Sequence, residues 1–145
     1  MEDAVWREII APWAEALDLG EPASESDVQA AEDRIGPFPQ SLRELLMEFD
    51  GASDEYGTDI IWPAERIAND NVYFRTDESF STLYTSFDSL LFFGDNGGGD
   101  QFAFTNSDTV VVWDHETDDR NRVTTSLRDY LVNCLESQGG DWHRE

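Results

Sequence analysis

The chain has 145 residues, of which 32 are Asp or Glu and nine are Arg, with no Lys, for a net formal charge of −23. Phosphate and anionic lipid are bound by clustered Lys and Arg, so a nucleic-acid groove and a lipid-binding face are excluded as the main function. There is no apolar run near the ~20 residues of a membrane helix, Met1-Glu2-Asp3 lacks the basic start of a signal peptide, and the single Cys134 permits no internal disulfide, so a cytoplasmic protein is expected.

A hydrophobic fraction of 39% with 12% aromatic residues argues against disorder. That content suits one core and one domain over 1–145. In chain order, Trp6, Ile9, Ile10, Trp13 and Leu17 recur at helical spacing. Pro12 interrupts them and predicts a kink or two short helices. Ser24 and Asp27 resemble a capping box opening a helix over 25–35, with Val28, Ala31 and Ile35 inside and Gly36 at its end. Pro37 and Pro39 make a stiff connector, and Pro39 opens a helix carrying Leu42, Leu45, Leu46 and Phe49. Asp59–Trp62 reads as a short strand halted by Pro63, followed by one helical turn to Asn69. The stretch 71–86 has no clean period. Leu90–Phe93 reads as a strand, Gly94–Asp100 as a glycine-rich loop, and 101–104 as a half-buried strand. Asn106-Ser107-Asp108 makes a turn, Thr109–Trp113 a β-branched strand, and 114–121 an acidic loop with a strand returning at 122–125. Ser126 caps a last helix with Leu127, Tyr130, Leu131, Cys134 and Leu135 inside, and 139–145 is a loose tail. Helices, then strands, then one helix predict an α+β fold. Its expected form is N-terminal helices, a central antiparallel sheet of about five or six strands covered on one side, and a C-terminal helix.

Enzyme motifs fail on inspection. After the Gly-rich loop no Lys-Ser or Lys-Thr pair follows, Phe102 stands where a dinucleotide fingerprint needs its third glycine, and Asp95 and Asp100 repel phosphate. The loop also lacks EF-hand ligand spacing. His115-Glu116 is half of a zinc-protease motif whose second His falls on Asp119, and the only other His is His143. No Gly-x-Ser-x-Gly elbow exists for a serine nucleophile. One metal reading stays open, a hydrolase using Asp95, Asp100, His115 and Glu116 around a divalent ion.

Charge placement is the better signal. A 16.5 kDa chain folds to about 7,500 Å² of surface. Spread evenly, 23 net charges would lie ~18 Å apart, beyond a Debye length of about 8 Å. Only crowded loops add their fields, so an electrostatic function belongs to Asp114, Glu116, Asp118 and Asp119 in one loop and to Asp50, Asp54, Glu55 and Asp59 flanking another. Asp95 and Asp100 of the glycine-rich loop are further candidate partner contacts. Tyr56, Trp62, Tyr73 and Trp113 are candidate aromatic anchors, with Trp113 assigned first to the core.

Several motifs then fall in a familiar order. Ala30-Ala31-Glu32, Gly36-Pro37-Phe38-Pro39, Leu42-Arg43-Glu44-Leu45-Leu46 and Asp50-Gly51 come first. Ile60-Ile61-Trp62-Pro63 with Ile67 and Asn69, Phe93-Gly94-Asp95, Gly98-Gly99-Asp100, Val112-Trp113-Asp114-His115-Glu116 and Ser126-Leu127 with Tyr130-Leu131 follow. This series, over about 24–136, resembles the SUKH superfamily, the Smi–Knr-like domain. Asp50 stands where that family often has Asn. The resemblance implies an α+β fold without catalysis, metal or cofactor, and a bacterial immunity protein that caps the active site of a cognate toxin. The toxin would be basic, often a nuclease, and the immunity protein a monomer or weak dimer. The eukaryotic members imply the alternative of a regulatory or scaffold module.

Overall fold

The computed structural model describes residues 5–97, 99–105 and 109–137. The expected turn at 106–108 and the expected tail at 139–145 lie outside them. Helix α1 (Val5–Ile10) ends at the proline-bearing segment, and Ala11–Ala16 continues as a 3₁₀ helix, the two short helices expected. Helix α2 spans Glu25–Ile35 behind a complete capping box, in which Ser24 Oγ accepts from Asp27 N and the Asp27 carboxylate accepts from Ser24 N. Helix α3 is Gln40–Glu48 and buries Leu42, Leu45 and Leu46. Helices α4 (Ala64–Thr76), α5 (Glu78–Leu83) and α6 (Leu127–Glu136) complete the set, and Ser126 Oγ caps α6 by accepting from Asp129 N.

The α+β class is borne out, and among the described residues seven strands divide between two antiparallel sheets. Strands β1 (Asp18–Leu19), β2 (Ala52–Ser53) and β3 (Asp59–Ile61) form the small one. Strands β4 (Leu91–Asp95), β5 (Gln101–Phe104), β6 (Val110–Trp113) and β7 (Arg120–Thr124) form a meander in sequence order. The sheets touch along β3 and β4, where Trp62 N donates to Phe93 O at 2.7 Å. Gly94 is required at this seam, since a Cβ there would sit 2.1 Å from Ile60 O. Tyr130 of α6 closes the same place by donating to Ile60 O at 2.7 Å.

Two expectations are corrected by the packing. The meander is covered on both faces, not one. Phe93, Phe102 and Phe104 meet Tyr130 of α6 or one another on one side. On the other, Phe92 and Trp113 pack against Phe74, Phe87 and Tyr84. Strand β5 is therefore buried through Phe102, Ala103 and Phe104 instead of half-buried. The second cover comes from the stretch without a clean period, and α4 is 13 residues long where one turn was expected.

Asn71 explains that miss. It occupies the inner stripe of α4, between Ile67 and Phe74, and is buried. Its Oδ1 accepts from Phe92 N at 2.9 Å, and its Nδ2 donates to Phe92 O at 2.8 Å and to Ile67 O at 2.7 Å. The side chain thus pairs with β4 as a neighbouring strand would, and satisfies a backbone edge facing a helix.

Asp50 stitches the helical half to α4. Its Oδ1 accepts from Ala64 N at 2.8 Å, supplying the cap that Pro63 cannot. Burial pushes its carboxyl above the ordinary value of 3.8, the Ala64 N–H pulls it down, and Asp27 and Glu65 raise it again. A raised folded value means that the carboxyl's contribution is complete below the unfolded value and lost as pH rises through the folded one. Asn at this position keeps an oxygen for Ala64 N and removes the charge. Asp50→Asn should therefore raise Tm at pH 7, with the gap closing toward pH 4; calorimetry at both values checks it.

Candidate functional site

In an antiparallel meander, alternate turns emerge at the same end. The β4–β5 turn at 96–100 and the β6–β7 turn at 114–119 therefore share one end of the large sheet. Two contacts bring the β2–β3 turn at 54–58 to them, and a third joins those two turns to each other. Arg66 on α4 binds Asp59 at 2.6 Å, Asp70 at 3.1 Å and Asp95 at 3.3 Å, with its guanidinium 4.3 Å from the Trp62 ring centre. Gly97 abuts Thr58, since a Cβ on Gly97 would lie 3.1 Å from Thr58 Oγ1. Gly99 lies under the His115 imidazole, where a Cβ would meet Cε1 at 2.5 Å. The two acidic loops picked out by charge crowding and the glycine-rich loop form one continuous edge.

Each turn is built on an aspartate. Asp54 Oδ1 accepts from Tyr56 N at 2.9 Å, Asp95 Oδ1 from Gly97 N at 2.8 Å, and Asp114 Oδ1 from Glu116 N at 2.9 Å. These are Asx turns, in which a short carboxylate replaces a backbone acceptor. Asp54, Asp95 and Asp114 thus have a folding role as well as a charge. Glu55, Glu116 and Asp119 are exposed beside them. The local field is visible at Tyr56, which is 66% exposed and whose hydroxyl is pushed to higher pKa chiefly by the charge of Glu55.

Three expected contact residues are placed otherwise. Trp62 is fully buried, with Nε1 donating to Asp95 Oδ2 at 2.9 Å, so it shapes the edge from beneath and is no surface anchor. Asp100 is also buried, and its backbone N donates to Asn96 Oδ1 inside the β4–β5 turn. Asp118 turns inward at φ 64° and accepts from Trp113 Nε1, Thr85 N and Arg120 Nη2 at 2.9, 2.9 and 3.1 Å. Partial burial works against its charge, but those donors outweigh it and hold the carboxyl below 3.8. With a depressed folded value, its stabilisation is present above the unfolded value and lost as pH falls through the folded one. Asp118→Asn should lower Tm at pH 7 and much less below pH 3, as thermal melts across that range would show. Trp113 is core, as assigned, and of the aromatic candidates Tyr56 and Tyr73 remain exposed.

The proposed metal quartet does not assemble. Asp95 is engaged by Arg66 and Trp62, and Glu116 is exposed. Asp100 and His115 do approach, with Nδ1 3.7 Å from Oδ1, and Asp114 joins them so that one ligand atom from each lies within 4.8 Å of the others. Among the described residues, those three could hold a divalent ion. Asp114 was missed for that role because the His115-Glu116 pair drew Glu116, not Asp114, from that loop. Arg66 was missed too, although its i,i+4 spacing to Asp70 was visible in the sequence.

The model of the SMI1 / KNR4 family (SUKH-1) matches residues 22–133. The chain belongs to this family. No curated protein matches it. In this SUKH domain the recurring motif residues are stitching. Glu32 accepts from Phe38 N at 2.8 Å and pairs with Arg43, locking the Gly-Pro connector between α2 and α3. Asp50 caps α4, Gly94 and Tyr130 close the β3–β4 seam, and Gly99 seats His115. These motif residues hold the fold together, while of the exposed acids at the edge Glu55 and Asp119 lie outside the motifs and Glu116 ends one. Among the described residues, no helix is long and apolar enough to cross a membrane.

Proposed function

We propose that this SUKH domain is an immunity protein that neutralises a basic protein toxin, binding it through the acidic edge and covering its active cleft. The observation that carries this reading is the convergence of the 54–58, 96–100 and 114–119 turns at one end of the large sheet. Charges on one edge lie within a Debye length of each other and sum into a field that steers a cationic partner. Asx turns hold that edge in shape before binding, which reduces the ordering cost of association. A toxin whose cleft binds nucleic-acid phosphate carries the complementary charge. Nothing in the mechanism asks this chain for catalysis: capping excludes substrate by occupancy. The fitting compartment is the cytoplasm, where such a toxin would act. Co-expression with the toxin encoded beside its gene tests the proposal. Rescue of growth with a co-purifying complex is expected; unchanged killing and no complex would sink it.

A second reading, a metal-dependent hydrolase, has the Asp100–Asp114–His115 cluster in its favour. Calorimetric titration with zinc, magnesium and calcium decides it, and no heat at millimolar ion dismisses it.

A further inference from the structure

We propose that the groove between the 3₁₀ helix, the 54–57 turn and the end of α6 receives one apolar side chain from a basic segment of the toxin. This rests on the toxin-binding reading and names a part of its surface. The groove is lined by Trp13, Leu17, Tyr56, Cys134 and Leu135. Its volume is about 160 Å³. A cavity of about 150 Å³ takes a benzene ring, so the space fits one aromatic or branched aliphatic side chain. Asp54 and Glu55 also line it, and as residues of the 54–58 turn they join the groove to the acidic edge. An apolar slot with carboxylates on its rim selects an apolar residue flanked by Arg or Lys. A second copy of a chain with net charge −23 is the wrong occupant, since like-charged rims would meet.

Tyr56 is suited to this task. It is the large, mostly exposed side chain of a turn whose backbone is fixed, because Asp54 Oδ1 accepts from both Tyr56 N and Thr58 N. An aromatic residue held in place before binding loses little entropy on contact, which is how interface anchors gain their weight. Part of the groove lies outside the family match. Trp13, Leu17, Cys134 and Leu135 all fall outside the matched residues 22–133. A pocket built partly from segments beyond the matched span has room to differ between members and so to distinguish one partner from another.

The test uses three capped peptides and needs no toxin: Gly-Arg-Leu-Arg-Gly, the same peptide with Ser for Leu, and the same peptide with Glu for both Arg. Binding is followed by amide and indole NMR shifts, and by the rate at which Cys134, the sole cysteine, reacts with a thiol reagent. The Arg-Leu-Arg peptide should give saturable shifts at Trp13, Tyr56 and Leu135 and slow the Cys134 reaction. The Ser and Glu peptides, and Tyr56→Ala with the first peptide, should each bind at least about tenfold more weakly. No shifts in the groove at millimolar Arg-Leu-Arg peptide would overturn the inference, as would equal binding of the Ser peptide. Shifts at these residues that grow with protein concentration alone would assign the groove to a second copy and overturn it too. None of these results alters the co-expression outcome, so failure of the groove is separable from failure of the immunity reading.

Discussion

Replacement of Asn71 by leucine is expected to lower the unfolding free energy by about 3 kcal/mol. Leucine has similar bulk and adds apolar surface, so no large cavity forms. The loss comes from Phe92, whose N–H and C=O both face Asn71 and are buried with it. Each orphaned backbone group costs roughly 1–3 kcal/mol, and the apolar gain of leucine offsets only part of that. Against a typical total of about 5–15 kcal/mol the change is large. Urea denaturation should show a lower midpoint with an unchanged slope. Asn71→Asp should be worse at neutral pH, because a carboxylate then faces the carbonyls of Ile67 and Phe92. Protonation restores a donor, so this variant should recover stability as pH falls, the opposite of Asp118 in the parent chain.

The triple variant Glu55→Lys, Glu116→Lys, Asp119→Lys is expected to slow association with the toxin by at least about tenfold at low salt. These side chains are exposed and are not the acceptors of the three Asx turns, so the edge keeps its shape. Three negative charges on the edge become positive, changing the net charge by about six units, and removing repulsion leaves Tm equal or higher. Stopped-flow mixing over a range of ionic strength checks the effect. The parent rate should fall steeply with added salt, while the variant's changes little or rises. Equal rates for the two proteins would mean that steering resides elsewhere.

Much of the fold was legible where local chemistry and packing agree. Ser24 and Asp27 set the start of α2, Gly36 its end, and Ser126 the start of α6, because caps are read from neighbouring residues alone. Helix α4 was not legible, because its inner stripe contains Asn71, and the reason for a polar residue there lies 21 positions away on β4. The double cover of the large sheet was hidden for the same reason: Phe74, Phe80, Tyr84 and Phe87 show no period, since a short helix and the following loop fill that face together. The acidic loops were found by charge, but charge could not separate Asp118 and Asp100, which fold inward, from Glu55 and Glu116, which face solvent. Nor could it join the 54–58 turn to the other two, which depends on Arg66 reaching across to Asp59 and Asp95.

Amide hydrogen exchange in the complex with the toxin encoded beside the gene is the most direct test that the acidic edge is the binding surface. Slowed exchange at 54–58, 96–97 and 114–119, with α2 and α3 unchanged, is the expected result. Slowing confined to α2 and α3, with those three turns exchanging as in the free protein, would contradict it.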